Sequence, residues 1–247
     1  MGIFFSKMPD GGPVVHNVSN SSLTATEPAS NVENVRIDLP AERAKVVKMI
    51  KAAQSNSKNP YAKALNEIKQ GHKHSHWIWY IWPCLSAVRS TTRREFELPD
   101  FDAALLLLKD DELRVRLSEI TLVAAKHLEQ GVDAVRLFGS PIDAEKFGEA
   151  ATHFALAGIE TQHTTIVEAF LRGLRAYEKV GRTLHMETVE YIAGECGYNH
   201  FSRIASSADI ERFCEEKGFE LRLTESSKND LASIAAENSE IPSATTP

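Results

Sequence analysis

The sequence has few cysteines, and they lie far apart. Cys84, Cys196 and Cys214 are the 3 cysteines of the chain. Small secreted scaffolds depend on dense, paired cysteines, and an odd, widely spread set provides no such framework. The cysteines therefore predict free thiols in a reducing compartment, and the cytoplasm is the expected location.

The chain also lacks a surplus of basic residues. Lysine and arginine together number 28 against 34 aspartates and glutamates, which gives a formal net charge of −6. Proteins that bind nucleic acid need an excess of lysine and arginine to replace the counterions of the phosphates. No basic run reverses this balance, so the composition argues against nucleic acid as a partner.

Long apolar segments are missing as well. No stretch approaches the roughly 20 apolar residues that a membrane-spanning helix requires, and the start lacks the basic-then-apolar order of a secretory signal. The opening MGIFFSK instead places Gly2 after the initiator methionine and Ser6 four positions later, the pattern of N-myristoylation. One acyl chain gives only weak, reversible membrane binding. We expect a lipid on Gly2 and peripheral contact with the cytoplasmic face of a membrane; the alternative is an untethered start.

Both ends of the chain are poor in large apolar residues. Residues 1–39 are rich in serine, asparagine, proline and threonine, and residues 224–247 have a similar composition. Segments of this kind bury too little apolar surface to fold. We expect two disordered tails, the first serving as a flexible tether. A single globular domain is expected between them, over residues 40–223.

Helical periodicity dominates this central part, and the predicted fold class is mainly α. Asp100 is expected to cap a helix, and Gly71 and Gly131 are expected to end two others. Two short strands are predicted, AVRLF at 134–138 and FELRLT at 219–224. The predicted helices cover about residues 40–54, 60–70, 101–109, 111–130, 143–157, 164–179, 183–194 and 208–217.

The stretch GHKHSHWIWYIWP, residues 71–83, contains all 3 tryptophans of the chain. His72, His74 and His76 alternate there, so their side chains would line one side of an extended segment. Imidazoles in this arrangement suit zinc or copper, but no carboxylate or thiolate is suitably spaced nearby. The simpler interpretation is a row of solvent-facing histidines beside a buried turn. The sequence therefore predicts no metal and no cofactor.

Trp77 and Trp79 fit either a core or the wall of a ligand pocket. Buried aromatic residues most often anchor a core. Lys73 and His76 lie beside them, however, and supply a cation and an acid/base group. An anionic small molecule with a stackable ring would need both. The sequence by itself leaves the two interpretations open.

A longer pattern joins this stretch to the rest of the domain. It resembles an uncharacterised family, domain of unknown function 1810, over about residues 46–184. The resemblance implies a mainly helical single domain. The positions that carry it are Tyr61, Ala64-Leu65, Glu67-Ile68, Gly71, Lys73, Ser75-His76-Trp77-Ile78-Trp79-Tyr80-Ile81, Pro83, Phe138-Gly139, Asp143, Lys146-Phe147, Thr152 and Phe154.

The family is remotely similar to the NADAR hydrolases, which cleave N-glycosidic bonds of ribose derivatives. That similarity implies a nucleotide- or ADP-ribose-like ligand, with Asp143 as the carboxylate at the anomeric carbon and His76 as the acid/base. Lys73 and Lys146 would hold phosphate or ribose oxygens, and the two tryptophans would stack on the base. The alternatives are structural: Asp143 caps a helix, Lys146 lies on an exposed face, and His76 binds backbone at a turn.

Two departures from the family pattern favour a second function. Cys84 stands where the family usually has glutamine, and Glu149-Ala150 replaces a pair of serines. If these positions line the pocket, the ligand differs or the activity is absent. The alternative function is a non-catalytic, membrane-tethered module whose protein partners the sequence does not identify. IAGECGYNHFSRI, residues 192–204, is similar to a helix-turn-helix of AraC-type regulators, but it stands alone in an acidic chain, so helical packing is expected there.

Overall fold

The computed structural model describes residues 38–56 and 60–221, and within them the fold is built from helices. Three short turns complete it: the 3-10 turns Arg94–Phe96 and Asn199–Phe201 and the π turn Tyr191–Glu195. The prediction of a mainly α fold is confirmed. The α-helices are α1 (Leu39–Gln54), α2 (Tyr61–Lys69), α3 (Ile78–Ile81), α4 (Phe101–Leu108), α5 (Asp111–Glu129), α6 (Ala134–Phe138), α7 (Pro141–Glu160), α8 (Thr164–Lys179), α9 (Met186–Glu190) and α10 (Ser207–Glu216).

Several predictions concern residues that the structure does not describe. Gly2, nearly all of the first predicted tail and the whole of the second lie outside the described ranges. Among the helices that are described, none is both long enough and apolar enough to cross a membrane.

The helix ends predicted at Asp100, Gly71 and Gly131 are confirmed. The carboxylate of Asp100 accepts a hydrogen bond from the backbone N–H of Ala103 at 3.0 Å, and it starts α4. Gly71 follows α2 with φ of +77°, and Gly131 follows α5 with φ of +82°. These local signals were readable because each depends on residues a few positions apart.

Helix α7 runs through the centre of the core. All residues from Lys146 to Ile159 are buried, and the helix packs against α4, α6 and α8. Helix α8 in turn packs along α5. A helix buried all round normally carries apolar residues only. This one also carries charged side chains, and these belong to the candidate site.

The predicted strand AVRLF is wrong, because residues 134–138 form α6. Asp133 caps this helix by accepting from the N–H of Arg136 at 2.9 Å, and Gly139 ends it with φ of +81°. The buried residues Ala134, Leu137 and Phe138 have helical spacing. A run of five apolar and mixed residues is too short for periodicity to separate the two forms, and the flanking caps decide it.

The C-terminal predictions also need correction. Phe219–Leu221, the described part of the predicted strand FELRLT, has no regular structure. The expected helix over 183–194 begins at Met186 and passes into the π turn. The stretch that resembles a helix-turn-helix packs into the fold: Phe201 is buried, and the Tyr198 hydroxyl donates to Asp102 at 2.9 Å.

Candidate functional site

The turn between α2 and α3 wraps around the carboxylate of Glu67, which is only 6% exposed. Oε2 accepts from the backbone N–H groups of His74 at 2.8 Å and Ser75 at 2.9 Å and from the indole N–H of Trp77 at 2.8 Å. Oε1 accepts from the Ser75 hydroxyl. Burial alone would raise the pKa of Glu67, but these donors outweigh it and lower the pKa to about 2. Glu67 therefore fixes the turn that precedes α3.

The C-terminal end of α6 positions Lys73 in this turn. The backbone N–H of Lys73 donates to the carbonyl of Leu137 at 2.9 Å. Gly139 lies so close that a Cβ there would stand 2.7 Å from the carbonyl oxygen of Lys73. Glycine is therefore required at this position both for its positive φ and for the close backbone approach.

Lys73, Asp143 and Lys146 form a buried ionic group, here called the lysine–aspartate cluster. Nζ of Lys73 lies 2.6 Å from one carboxylate oxygen of Asp143, and Nζ of Lys146 lies 3.2 Å from the other. The three side chains are 7%, 14% and 9% exposed. Ser140, not Asp143, caps α7, and Lys146 does not lie on an exposed face. Both structural alternatives for these two residues are therefore wrong.

The two tryptophans of the candidate site have different surroundings. Trp77 is 1% exposed, its N–H is bound to Glu67, and the Lys73 ammonium lies 5.4 Å from the centre of its ring. Trp79 is only half-buried, with the Lys146 ammonium 5.2 Å from its ring centre. Nε1 of Trp79 is buried and has no hydrogen-bond partner among the described residues. Trp77 is thus a core residue, and Trp79 borders the cluster with an unused donor.

His76 lies at the rim and is not bonded to the cluster. Its exposed ring is stacked on Trp79, with centroids 6.3 Å apart and planes inclined by 26°. His72 and His74 contact each other, with ring centroids 4.4 Å apart. No group of histidine, cysteine and carboxylate side chains in the described ranges is arranged to hold a metal ion. Lys73 and Asp143 therefore converge, whereas His76 reaches them only across Trp79 and Lys146.

A small hollow adjoins the cluster. Its volume is about 180 Å³ in all, and it leaves no room for a water molecule. Four of its six lining residues belong to the segment between α3 and α4. The lining residues are Trp79, Cys84, Thr91, Phe96, Glu97 and Lys146.

The two departures from the family pattern are neighbours in space. The Cys84 thiol is buried; it lies 3.9 Å from the carbonyl oxygen of Trp82 and 3.8 Å from that of Lys146, and it also contacts the carboxylate of Glu149. Burial and the nearby carboxylate of Glu149 raise the pKa of this thiol well above its ordinary value. Cys84 is therefore no candidate nucleophile, because the thiolate is the reactive form. Arg89 neutralises Glu149, with Nε 2.5 Å from Oε1.

Sequence reasoning missed the roles of Glu67, Arg89 and Gly139. Glu67 and Gly139 appeared only as members of the family pattern, and Arg89 carried no signal at all. The available clue was the position of Glu67 on an apolar helix face. A carboxylate that is buried there needs several hydrogen-bond donors. The partners of Arg89 lie 56 and 60 positions away, so nothing local pointed to them.

A known protein family and a solved structure are similar to this chain. A family described as "Protein of unknown function (DUF1810)" matches residues 45–183. The crystal structure of the conserved hypothetical protein Rv1873 from Mycobacterium tuberculosis is similar at 26% identity, with a TM-score of 0.47, over 56% of this chain and 91% of that one. No curated protein matches the chain. All residues of the candidate site lie inside the matched range.

Proposed function

The chain belongs to the DUF1810 family, since residues 45–183 make up more than half of its 247 residues, and on that premise we propose that it binds an anionic small molecule of nucleotide or ADP-ribose type. The ligand site is the lysine–aspartate cluster together with Trp79 and His76. The finer part of the proposal is hydrolysis of an N-glycosidic bond in that ligand.

One observation carries the proposal: Lys73 and Lys146 share the carboxylate of Asp143 beside the indole N–H of Trp79, which has no partner in the part of the chain that the structure describes. Two ammonium groups against one carboxylate give the cluster itself one surplus positive charge, with the carboxylate of Glu97 in the lining of the adjoining hollow. Burying an unbalanced charge costs free energy. We therefore infer that this charge is retained for a function. An anionic ligand would balance the charge through hydrogen bonds from the ammonium groups, which are stronger than neutral ones.

The placement of the remaining groups suits a ligand with a ring. A phosphate or ribose oxygen between Lys73 and Lys146 would replace contacts that Asp143 now makes. Asp143 would then lie beside the sugar, where a carboxylate stabilises an oxocarbenium-like transition state. His76 stands next to Trp79 and would protonate the leaving base, while the indole ring stacks on it.

The binding proposal is tested by thermal unfolding with ADP-ribose, NAD and ribose 5-phosphate at millimolar concentration. Binding to the folded state alone raises stability, by about 2.7 kcal/mol when the ligand is at 100 times its Kd. We expect the melting temperature to rise for the natural chain and not for Lys73→Met or Lys146→Met. Lys48→Met is the matched control, because Lys48 is exposed. No rise with any of the three ligands would overturn the proposal.

The hydrolysis proposal needs a separate test. Release of the free base from a ligand that binds is followed by chromatography for the natural chain, Asp143→Asn and His76→Gln. An acid/base group is typically worth about 10²–10⁴ in rate, so we expect His76→Gln to bind normally and to lose about that factor. Binding without any release of base would contradict the hydrolysis proposal and support the binding proposal.

A non-catalytic module is the second candidate, and the narrowness of the hollow favours it. The space beside the cluster admits no water molecule, and His76 is not joined to Asp143. This function predicts no thermal shift with any nucleotide.

The lipid tether belongs to both candidates as a prediction. Gly2→Ala removes the acyl acceptor, so we expect the variant to leave the membrane fraction. Unchanged partition between membrane and soluble fractions would reject the tether.

A further inference from the structure

We propose that residues 86–95, here called the flap, form a movable cover over the hollow and admit ligand to the lysine–aspartate cluster when they lift. The use of the flap for ligand entry rests on the proposed function. The movement of the flap does not rest on the proposed function. Movement and ligand entry are tested by separate experiments.

The flap has the construction of a separately attached segment. Its base is closed by two backbone hydrogen bonds, Ser86 N–H to the Leu98 carbonyl and Leu98 N–H to the Cys84 carbonyl, each 2.9 Å long. Buried side chains stand on both sides of it, Leu85 before and Phe96 after. None of its ten residues is buried. Segments with so few buried apolar contacts open at a lower free energy than the core does.

Two arginines fasten the flap to the body of the protein. Arg89 is the main latch: it bonds to Glu149 at 2.5 Å and to Glu145 at 3.1 Å, both on α7. Arg93 lies over Trp79, with its guanidinium 5.7 Å from the ring centre. The Arg93 side chain is exposed, so water can replace its contact with Trp79. The Glu149 side chain is only 2% exposed, so lifting the flap must also bring water to this carboxylate.

The flap reaches two of the groups that the ligand would need, Trp79 and Lys146. Thr91 from the flap lines the hollow together with Trp79 and Lys146. Arg93 occupies space over the same indole ring on which a base would stack. A hollow without room for a water molecule cannot accept a nucleotide until this segment moves. The structure therefore corresponds to the closed state of the site.

Tryptophan fluorescence measures the movement without any ligand. Trp77 and Trp82 are 1% and 0% exposed, so acrylamide quenching reports mainly on the half-buried Trp79. Arg89→Gln alone would leave Glu149 buried and unpaired, which is strongly destabilising. The double variant Arg89→Gln/Glu149→Gln removes both charges. We expect its quenching constant to rise roughly twofold, because the unlatched flap is open more of the time.

Two further variants keep the measurement interpretable. Glu145→Gln removes only the exposed half of the latch, so it should fold normally and raise the quenching constant by a smaller amount. Arg94→Gln is the matched control, because Arg94 is exposed on the same segment and makes no ion pair among the described residues. Adding Trp79→Phe should remove the increase. A quenching constant that is unchanged in both Glu145→Gln and the folded double variant would overturn the proposal that the flap moves.

Ligand kinetics then connect the flap to entry. With ADP-ribose as the probe, the unlatched variant should associate faster than the natural chain by a factor on the order of ten, because a larger fraction is competent to bind. An equal association rate would overturn the role of the flap in entry. No binding by any variant, together with increased quenching, would overturn the proposed function and leave the flap standing.

Discussion

Glu67 shows how one buried carboxylate can shape a functional turn. Its two oxygens accept four hydrogen bonds, from His74, Ser75 and Trp77. Each donor is thereby fixed in direction, and two of them are backbone N–H groups of the turn itself. The carboxylate thus sets the course of the chain between α2 and the lysine–aspartate cluster.

Glu67→Gln should destabilise the protein in a pH-dependent way. The folded-state pKa of Glu67 is lowered from 4.5 to about 2, so its contribution is fully present above pH 4.5 and is lost as the pH falls towards 2. This difference in pKa corresponds to about 3 kcal/mol in the free energy of unfolding. Urea unfolding of both proteins at several pH values checks this. Glu190→Gln is an exposed control, and a gap that persists unchanged to pH 2 would contradict the assignment.

Gly139→Ala should disturb the site more than its size suggests. A methyl group at this φ of +81° is strained, and it would meet the Lys73 carbonyl at 2.7 Å. We expect a loss of about 1–3 kcal/mol in unfolding free energy, together with weaker binding of any anionic ligand, because Lys73 is displaced. Gly131→Ala has a similar φ and no close neighbour among the described residues, so it should cost stability but leave binding unchanged.

At the scale of elements, α7 carries both the core and the charged groups. Asp143 and Lys146 lie in its first turns, and Glu149 follows one turn later. Because the helix is packed on several sides, these side chains have fixed positions. The same packing requires small residues where α8 approaches, since a Cβ on Gly158 would lie 2.7 Å from Ile166 and 3.2 Å from the backbone of Val167.

Gly158→Ala tests that helix contact. Alanine favours a helix over glycine by about 1 kcal/mol, but crowding a packed interface costs about 1–3 kcal/mol. Because backbone of α8 is among the crowded atoms, we expect net destabilisation. Gly194→Ala has no neighbour within 4 Å among the described residues and should be neutral or stabilising. Thermal unfolding of the two variants decides, and equal melting temperatures would contradict the close contact.

At the scale of the whole molecule, the fold extends beyond the family match. The match ends at residue 183, whereas α9, the π turn and α10 continue the core. Ile192, Phe201 and Ile210 are each 0% exposed. Residues after the matched range are therefore part of the same hydrophobic core.

A chain that ends at residue 184 should therefore fold poorly. Each large apolar side chain removed from the core is worth about 1.5–3 kcal/mol, and several such losses approach the usual total stability of about 5–15 kcal/mol. A chain that ends at residue 221 keeps these side chains and should melt near the full-length protein. Circular dichroism during heating checks both. A stable, cooperative chain of residues 1–184 would show that the extension is dispensable.

The sequence by itself determined the helical class and most of the longer helices. Apolar spacing and caps such as Asp100 and Gly71 act within a few residues, so they are legible without a fold. The strand predicted for the five residues of α6 was wrong, because so short a run does not distinguish a helix from a strand. The sequence also indicated that Lys73 and Asp143 belong to one site, but only through the family resemblance.

Only the tertiary structure decided how those residues meet. Lys73 and Asp143 are 70 positions apart, and their ion pair exists because α6 and Glu67 hold one turn against the start of α7. Long-range pairing of charges depends on burial and on competing partners, and neither can be read from neighbouring residues. The same holds for the narrow hollow beside Trp79 and for the ion pair between Arg89 and Glu149. Interactions between residues that are close in sequence determine the helices, and the packing between the helices assembles the lysine–aspartate cluster.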